Sequence, residues 1–257
     1  MIVQADSSVV DAVHASPNIE PRKGCDRPDM LILHYTGMRS AQKAIEWLAA
    51  PESGVSCHYV IDRDGRVTQM VAESMRAWHA GVSHWAGESD INSRSIGIEI
   101  DNPGHELGYL DFPEPQMRAV EALAADIVRR QRISADRVLA HSDVAPIRKI
   151  DPGEKFDWAR LARRGIGLWV EPAPLNSADA GIGPGCGGQP VALVQDMLQR
   201  YGYGISASGD FDPVTEAVVR AFQRHFRPSR VDGRIDQSTI TTLERLLAAR
   251  DKLKSIA

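Results

Sequence analysis

The sequence predicts an α/β protein, a mixed central β-sheet flanked by helices, followed by a second, small all-α domain of three helices. Three observations predict it. Short apolar runs of strand length alternate with amphipathic helical stretches through the first 170 residues. Residues 171–190 are dominated by Gly, Pro and Ala and have the composition of a linker. Beyond them the pattern is helical only. The expected division is therefore 1–170, a linker over 171–190, and 191–257.

Residues 1–28 are polar with weak periodicity and read as a lead-in. Met30-Leu31-Ile32-Leu33 is a continuous apolar run, the signature of a strand buried on both faces, and His34 stands at its end. Ser40 to Ala50 reads as a helix with Ser40 as N-cap and Pro51 as its stop. His58 to Asp62 and Arg66 to Val71 flank Arg63-Asp64-Gly65, and the Asp-Gly pair signals a hairpin. Ser95 to Ile100 is a further apolar strand. Pro113 and Pro115 open a helix running to Gln131, with Met117, Val120, Ala124 and Ile127 on one face. Val138-Leu139-Ala140 is a last strand that delivers His141.

The terminal domain reads as helices over 191–201, 213–226 and 238–250. Gly209, Asp212 and Thr215 recur as Gly233, Asp236 and Thr239, 24 residues on. In each copy the Asp is placed to cap a helix and the Gly to permit the bend before it.

Composition excludes several classes of protein. A net charge of −4 gives no electrostatic footprint for nucleic acid. Three well-separated cysteines make neither a disulfide framework nor a thiolate metal cluster. No run approaches the roughly 18 apolar residues that span a bilayer. The N-terminus lacks a basic region followed by an apolar one, so a cytoplasmic location is expected as written, and a periplasmic one if a leader was removed. A monomer is expected.

The block from His141 to Trp158 concentrates the chemistry. It holds a histidine, a lysine and an aspartate within eleven residues, broken by Pro146, Pro152 and Gly153. Lys149 and Asp151 share a face in extended chain. An imidazole and a carboxylate can share a divalent cation, an ammonium beside them can stabilise an oxyanion, and His34 is the candidate further ligand. Glu99 interrupts an apolar strand, where a carboxylate is costly without a partner or a task. Cys57 next to His58 points to the opposite face of a strand, so the pair is no local catalytic dyad and Cys57 reads as buried structure. His14, His105 and His225 read as surface residues, and His84 and Trp85 carry no motif.

Leu33-His34-Tyr35-Thr36, Val55-Ser56-Cys57-His58-Tyr59, Ala77-Trp78-His79-Ala80-Gly81, Ser95-Ile96-Gly97-Ile98-Glu99 and the His141–Trp158 block together resemble the zinc-dependent N-acetylmuramoyl-L-alanine amidases of the AmpD/AmiD type. The resemblance runs in order from about residue 28 to 165. It implies Zn²⁺ held by His34, His141 and Asp151, Glu99 as general base and Lys149 at the oxyanion. It also implies a substrate cleft lined by His58 and His79, with Trp78 as a platform and Asn102 as a further contact. Phage-type relatives have a tyrosine where Cys57 stands and a cysteine as third ligand where Asp151 stands, and both departures fit the AmpD/AmiD branch. Asp232-Gly233, Thr239 and the helix of Leu243, Leu246 and Leu247 resemble three-helix peptidoglycan-binding domains.

The implied activity is hydrolysis of the amide between N-acetylmuramic acid and L-alanine in peptidoglycan or muropeptides. The alternative is a peptidoglycan sensor that binds without cutting. Non-catalytic relatives have lost a zinc ligand, whereas all three candidates are present here.

Overall fold

In the computed structural model, which describes residues 4–256, eight strands and nine α-helices are found. Residues 1–3 of the expected lead-in and residue 257 lie outside the described residues. The strands are β1 (Ala12–Val13), β2 (Ile19–Pro21), β3 (Met30–Tyr35), β4 (Tyr59–Ile61), β5 (Val67–Gln69), β6 (Met75–Ala77), β7 (Ser95–Ile100) and β8 (Val138–Ala140). The helices are α1 (Ala41–Ala49), α2 (Ile91–Arg94), α3 (Gly104–Leu107), α4 (Glu114–Gln131), α5 (His141–Val144), α6 (Trp158–Arg163), α7 (Gln189–Tyr201), α8 (Pro213–Phe226) and α9 (Gln237–Ile256).

One six-stranded sheet has the order β1-β5-β4-β7-β3-β8. Only the β4–β5 hairpin is antiparallel. The lead-in thus supplies an edge strand, β1, and also β2, which pairs with β6 in a separate ribbon. These three strands, of two or three residues each, are too short to carry a period.

Alternation along β3 and β7 divides the molecule. Leu31, Leu33, Ile96, Ile98 and Ile100 point to one face, where Met117, Val120, Leu123 and Ile127 of α4 cover them. Met30 and Ile32 point to the other, where they join one continuous core with Trp85, Leu139 and Val144 and with Val191, Val194, Leu198, Phe222 and Leu246 of the terminal helices. The helical domain is therefore the cover of the second sheet face. Residues 171–188 contain no helix and lie along this domain: Ile182 pairs with Ile235, and the Ser238 hydroxyl donates to the Ala173 carbonyl at 2.7 Å. The last two residues of the expected linker already belong to α7.

The repeat within the helical domain goes deeper than Gly, Asp and Thr. Asp212 accepts from the Thr215 N–H at 2.7 Å and Asp236 from the Thr239 N–H at 2.7 Å. Buried Gln195 and Gln223 complete each copy: their Oε1 atoms accept from the N–H of Gly209 and of Gly233, both at 2.8 Å. Each amide N–H₂ reaches the Thr hydroxyl of its own copy. Two capped turns are thus built alike, each satisfied from the preceding helix.

Candidate active site

His34 and Glu99 lie opposite each other in the β3–β7 register, at the C-terminal ends of two parallel strands. Both follow the alternation that puts Met30 and Ile32 on the face shared with the helical domain. β8 runs beside β3 and ends where α5 begins, which brings His141 alongside. The turn after α5 returns Asp151, and its carbonyl accepts from the Ser142 N–H at 3.0 Å. Crevices beyond the C-terminal ends of parallel strands are where open α/β sheets bind ligands.

Three donor atoms converge here. His34 Nδ1 is 2.9 Å from His141 Nδ1 and 3.2 Å from Asp151 Oδ2, and His141 Nδ1 is 3.0 Å from the same oxygen. Their hydrogen bonds assign the tautomers. His141 Nε2 faces the Ala80 carbonyl at 3.2 Å, so it carries the proton. The Ser95 hydroxyl donates to the Ile91 carbonyl at 2.6 Å, and its oxygen therefore accepts from His79 Nε2 at 3.2 Å. That leaves His79 Nδ1 as an acceptor for the Nε2 proton of His34, 3.0 Å away. Both inward Nδ1 atoms are then bare lone pairs facing a carboxylate oxygen. Three converging electron pairs with no proton between them call for a cation. A tetrahedral ion with bonds of 2.0–2.2 Å sets its ligand atoms about 3.3–3.6 Å apart, so these three atoms need move only a few tenths of an ångström to hold one.

Burial lowers His34 to about 4, with the neighbouring His141 acting in the same direction, so the ring is neutral and able to ligate. Burial raises Asp151, but the His141 and His34 rings beside it reverse this and hold the carboxyl well below the usual range. For Glu99 burial comes first and the Asp151 charge second, and both push its carboxyl well above normal against the opposing Lys149. Glu99 Oε2 is buried with no hydrogen-bond partner. A raised, unpartnered carboxylate beside a cation site is suited to accept a proton from water.

The cleft over these groups has a volume of about 630 Å³, and Trp78, His79, Glu99, His141, Lys149 and Asp151 all line it. Gly97 makes the floor possible: a Cβ there would lie 2.5 Å from Cγ of His79, so only glycine leaves room for this ring, which meets His34 edge-on at 5.1 Å. Tyr35, Trp47, His105 and Arg148 also line the cleft and had no sequence signal beyond their neighbourhood to a motif. His105 is exposed, as expected, and stacks on Tyr109 at 4.2 Å.

Three expectations are corrected. His58 does not reach the cleft: it is fully buried under His79, its Nδ1 accepting from the Gly97 N–H at 3.0 Å and its Nε2 facing Met75 O at 3.1 Å. Asn102 is also fully buried, and holds its loop together by donating to Leu110 O at 2.9 Å and accepting from the Gly104 N–H at 3.0 Å. His225 is no surface residue but 1% exposed, donating from Nδ1 to Asp143 at 2.6 Å. Cys57 is buried as expected, its thiol donating to Tyr59 O.

The N-acetylmuramoyl-L-alanine amidase family matches residues 24–154, and a putative peptidoglycan-binding domain matches 187–243. N-acetylmuramoyl-L-alanine amidase AmiD of Escherichia coli (strain K12) is 36% identical over 234 residues, covering 86% of this chain and 83% of that protein. This chain belongs to the N-acetylmuramoyl-L-alanine amidase family. Among solved amidases, E. coli AmiD in complex with anhydro-N-acetylmuramic acid-L-Ala-D-γ-Glu-L-Lys superposes with a TM-score of 0.73 at 32% identity, covering 96% of this chain and 92% of its own. AmpDh3 of Pseudomonas aeruginosa in complex with anhydromuramic pentapeptide gives 0.72 at 32% identity, covering 88% of this chain and 92% of its own. The likeness to both amidases extends over the helical domain as well as the sheet. No helix among the described residues is long and apolar enough to cross a membrane.

Proposed function

We infer that this chain hydrolyses the amide between N-acetylmuramic acid and L-alanine in peptidoglycan or muropeptides, with Zn²⁺ held by His34, His141 and Asp151. The convergence of two unprotonated Nδ1 atoms and one carboxylate oxygen within 3.2 Å carries this reading. Zinc bound there would polarise the scissile carbonyl and lower the pKa of water to about 7.

Glu99 takes a proton from the attacking water at its unpartnered oxygen and later delivers it to the departing amine of L-alanine. Its raised affinity for a proton suits both halves of this task. Lys149, which lines the cleft and makes no ion pair among the described residues, would supply an ammonium where the carbonyl oxygen turns negative. His79 would hold the His34 tautomer, and Trp78, whose buried Nε1 has no partner among the described residues, offers a flat face and one donor to the substrate. The helical domain would bring the chain to peptidoglycan.

Mass spectrometry of anhydro-muropeptides before and after incubation tests the reaction. Release of the intact stem peptide beginning at L-alanine is expected, and masses from a cut within the stem would refute it. The Asp151→Ala variant should lose both the metal, by elemental analysis, and the activity.

A further inference from the structure

The second face of the sheet meets the helical domain across a largely apolar seam, crossed by a backbone hydrogen bond from the Ala86 N–H to Gly202 O at 2.8 Å and by a buried side-chain cluster at Asp143. Asp143 is fully buried on α5, two residues after His141. One of its oxygens, Oδ2, accepts from the Ala140 N–H at 2.8 Å, bracing the residue before His141. That same oxygen accepts from His225 Nδ1 at 2.6 Å, and Oδ1 accepts from the Tyr203 hydroxyl at 2.7 Å. His225 and Tyr203 both belong to the helical domain and are each 1% exposed. Their rings are held in turn by the sheet domain: His225 stacks on Trp158 at 3.8 Å, and Tyr203 meets Trp85 edge-on at 4.9 Å.

A buried carboxylate is costly unless hydrogen-bonded. Among the described residues, the only donor to Asp143 from its own domain is one backbone N–H; both side-chain donors come from the other domain. We propose that the helical domain is part of the frame of the metal centre, with Tyr203 and His225 acting as positioning residues on His141 through Asp143. This rests on the metal reading above. Neither residue touches the cleft, and α5 is a single turn of helix, so the direction of the His141 ring depends on what anchors Asp143. Groups that orient a ligand raise affinity for the ion without touching it.

Full-length variants test this by competition with a chromophoric zinc chelator, read beside melting temperature and co-sedimentation with insoluble peptidoglycan. Tyr203→Phe keeps the ring against Trp85 and removes only the donor; its zinc affinity should fall by about tenfold, with co-sedimentation unchanged. His225→Asn and His225→Leu both lose the stacked ring, but Asn retains a donor near the Nδ1 position. Zinc affinity in the Asn variant should exceed that in the Leu variant severalfold. Leu246→Ala, in the core of the same domain and outside the hydrogen bonds to Asp143, should lower the melting temperature without weakening zinc. Zinc affinity within twofold of wild type in Tyr203→Phe, or equal affinities in the two His225 variants, would overturn the proposal while leaving the metal reading intact. A wild-type protein that binds no zinc would overturn both.

Discussion

Glu99 shows how one side chain can be both expensive and necessary. Its strand neighbours Ile98 and Ile100 are fully buried, and nothing among the described residues bonds its Oε2. A carboxylate in such a place must be stabilised by a partner or be used. Glu99→Gln keeps the volume and removes the base, so zinc content should stay at one equivalent while kcat falls by about 10²–10⁴-fold. Loss of zinc in that variant would instead make Glu99 a ligand. Lys149→Met should lower kcat by about 10²–10³-fold with little change in KM, because its charge is needed where the oxyanion develops. At this scale the sequence was legible wherever chemistry is expensive: a carboxylate in an apolar strand, or His, Lys and Asp crowded between prolines. His58 misled because a histidine in a motif looks the same whether it lines a cleft or lies beneath it. His225 misled because its partner, Asp143, is 82 residues away, and no local pattern records such a pairing.

Elements place these residues, and small positions decide whether they can. Gly97 sits in β7 between two isoleucines, where nothing about the backbone demands glycine; the demand comes from His79 across the face. Gly97→Ala should therefore cost about 1–3 kcal/mol in denaturant unfolding, and should also weaken zinc by tilting His79 away from His34. An unchanged affinity would show that His79 does not set the His34 tautomer. In the helical domain, Asp212→Ala removes the cap of α8 and should cost about 1 kcal/mol. Long periodic elements such as α4 and α8 were legible in the chain because their burial repeats. Strands β1, β2 and β6 were not, since two or three residues carry no period and pair only because the sheet edge and the ribbon are there to receive them. Gln195 and Gln223 escaped notice for a related reason: they complete the repeated turn from a preceding helix, outside the stretch that repeats in sequence.

The whole molecule inherits an acid sensitivity from imidazoles that its fold buries. His58 is the cleanest case, since it makes no contact with the ligand triad. Burial, reinforced by the Arg22 guanidinium 3.2 Å from Nε2, lowers it to about 3, and the charge of His34 acts in the same direction. Met75 O, which accepts from Nε2, favours the charged ring but is outweighed, and His79 lies edge-on 5.7 Å away. In the unfolded chain the same ring takes a proton at about 6.5. Between those two values the unfolded state binds the proton and the folded state does not, so stability falls as pH is lowered from about 6.5 toward 3. His58→Asn retains an oxygen near the Nδ1 position to accept from the Gly97 N–H, and cannot titrate. The difference in unfolding free energy, wild type minus His58→Asn, should therefore shrink by about 1.4 kcal/mol for each pH unit lost between about 6 and 4. Urea unfolding of the metal-free proteins at several pH values measures it, and a difference independent of pH would mean that folded His58 is charged. Since the helical domain covers the same sheet face as these rings, the whole chain should unfold in one transition as the pH drops.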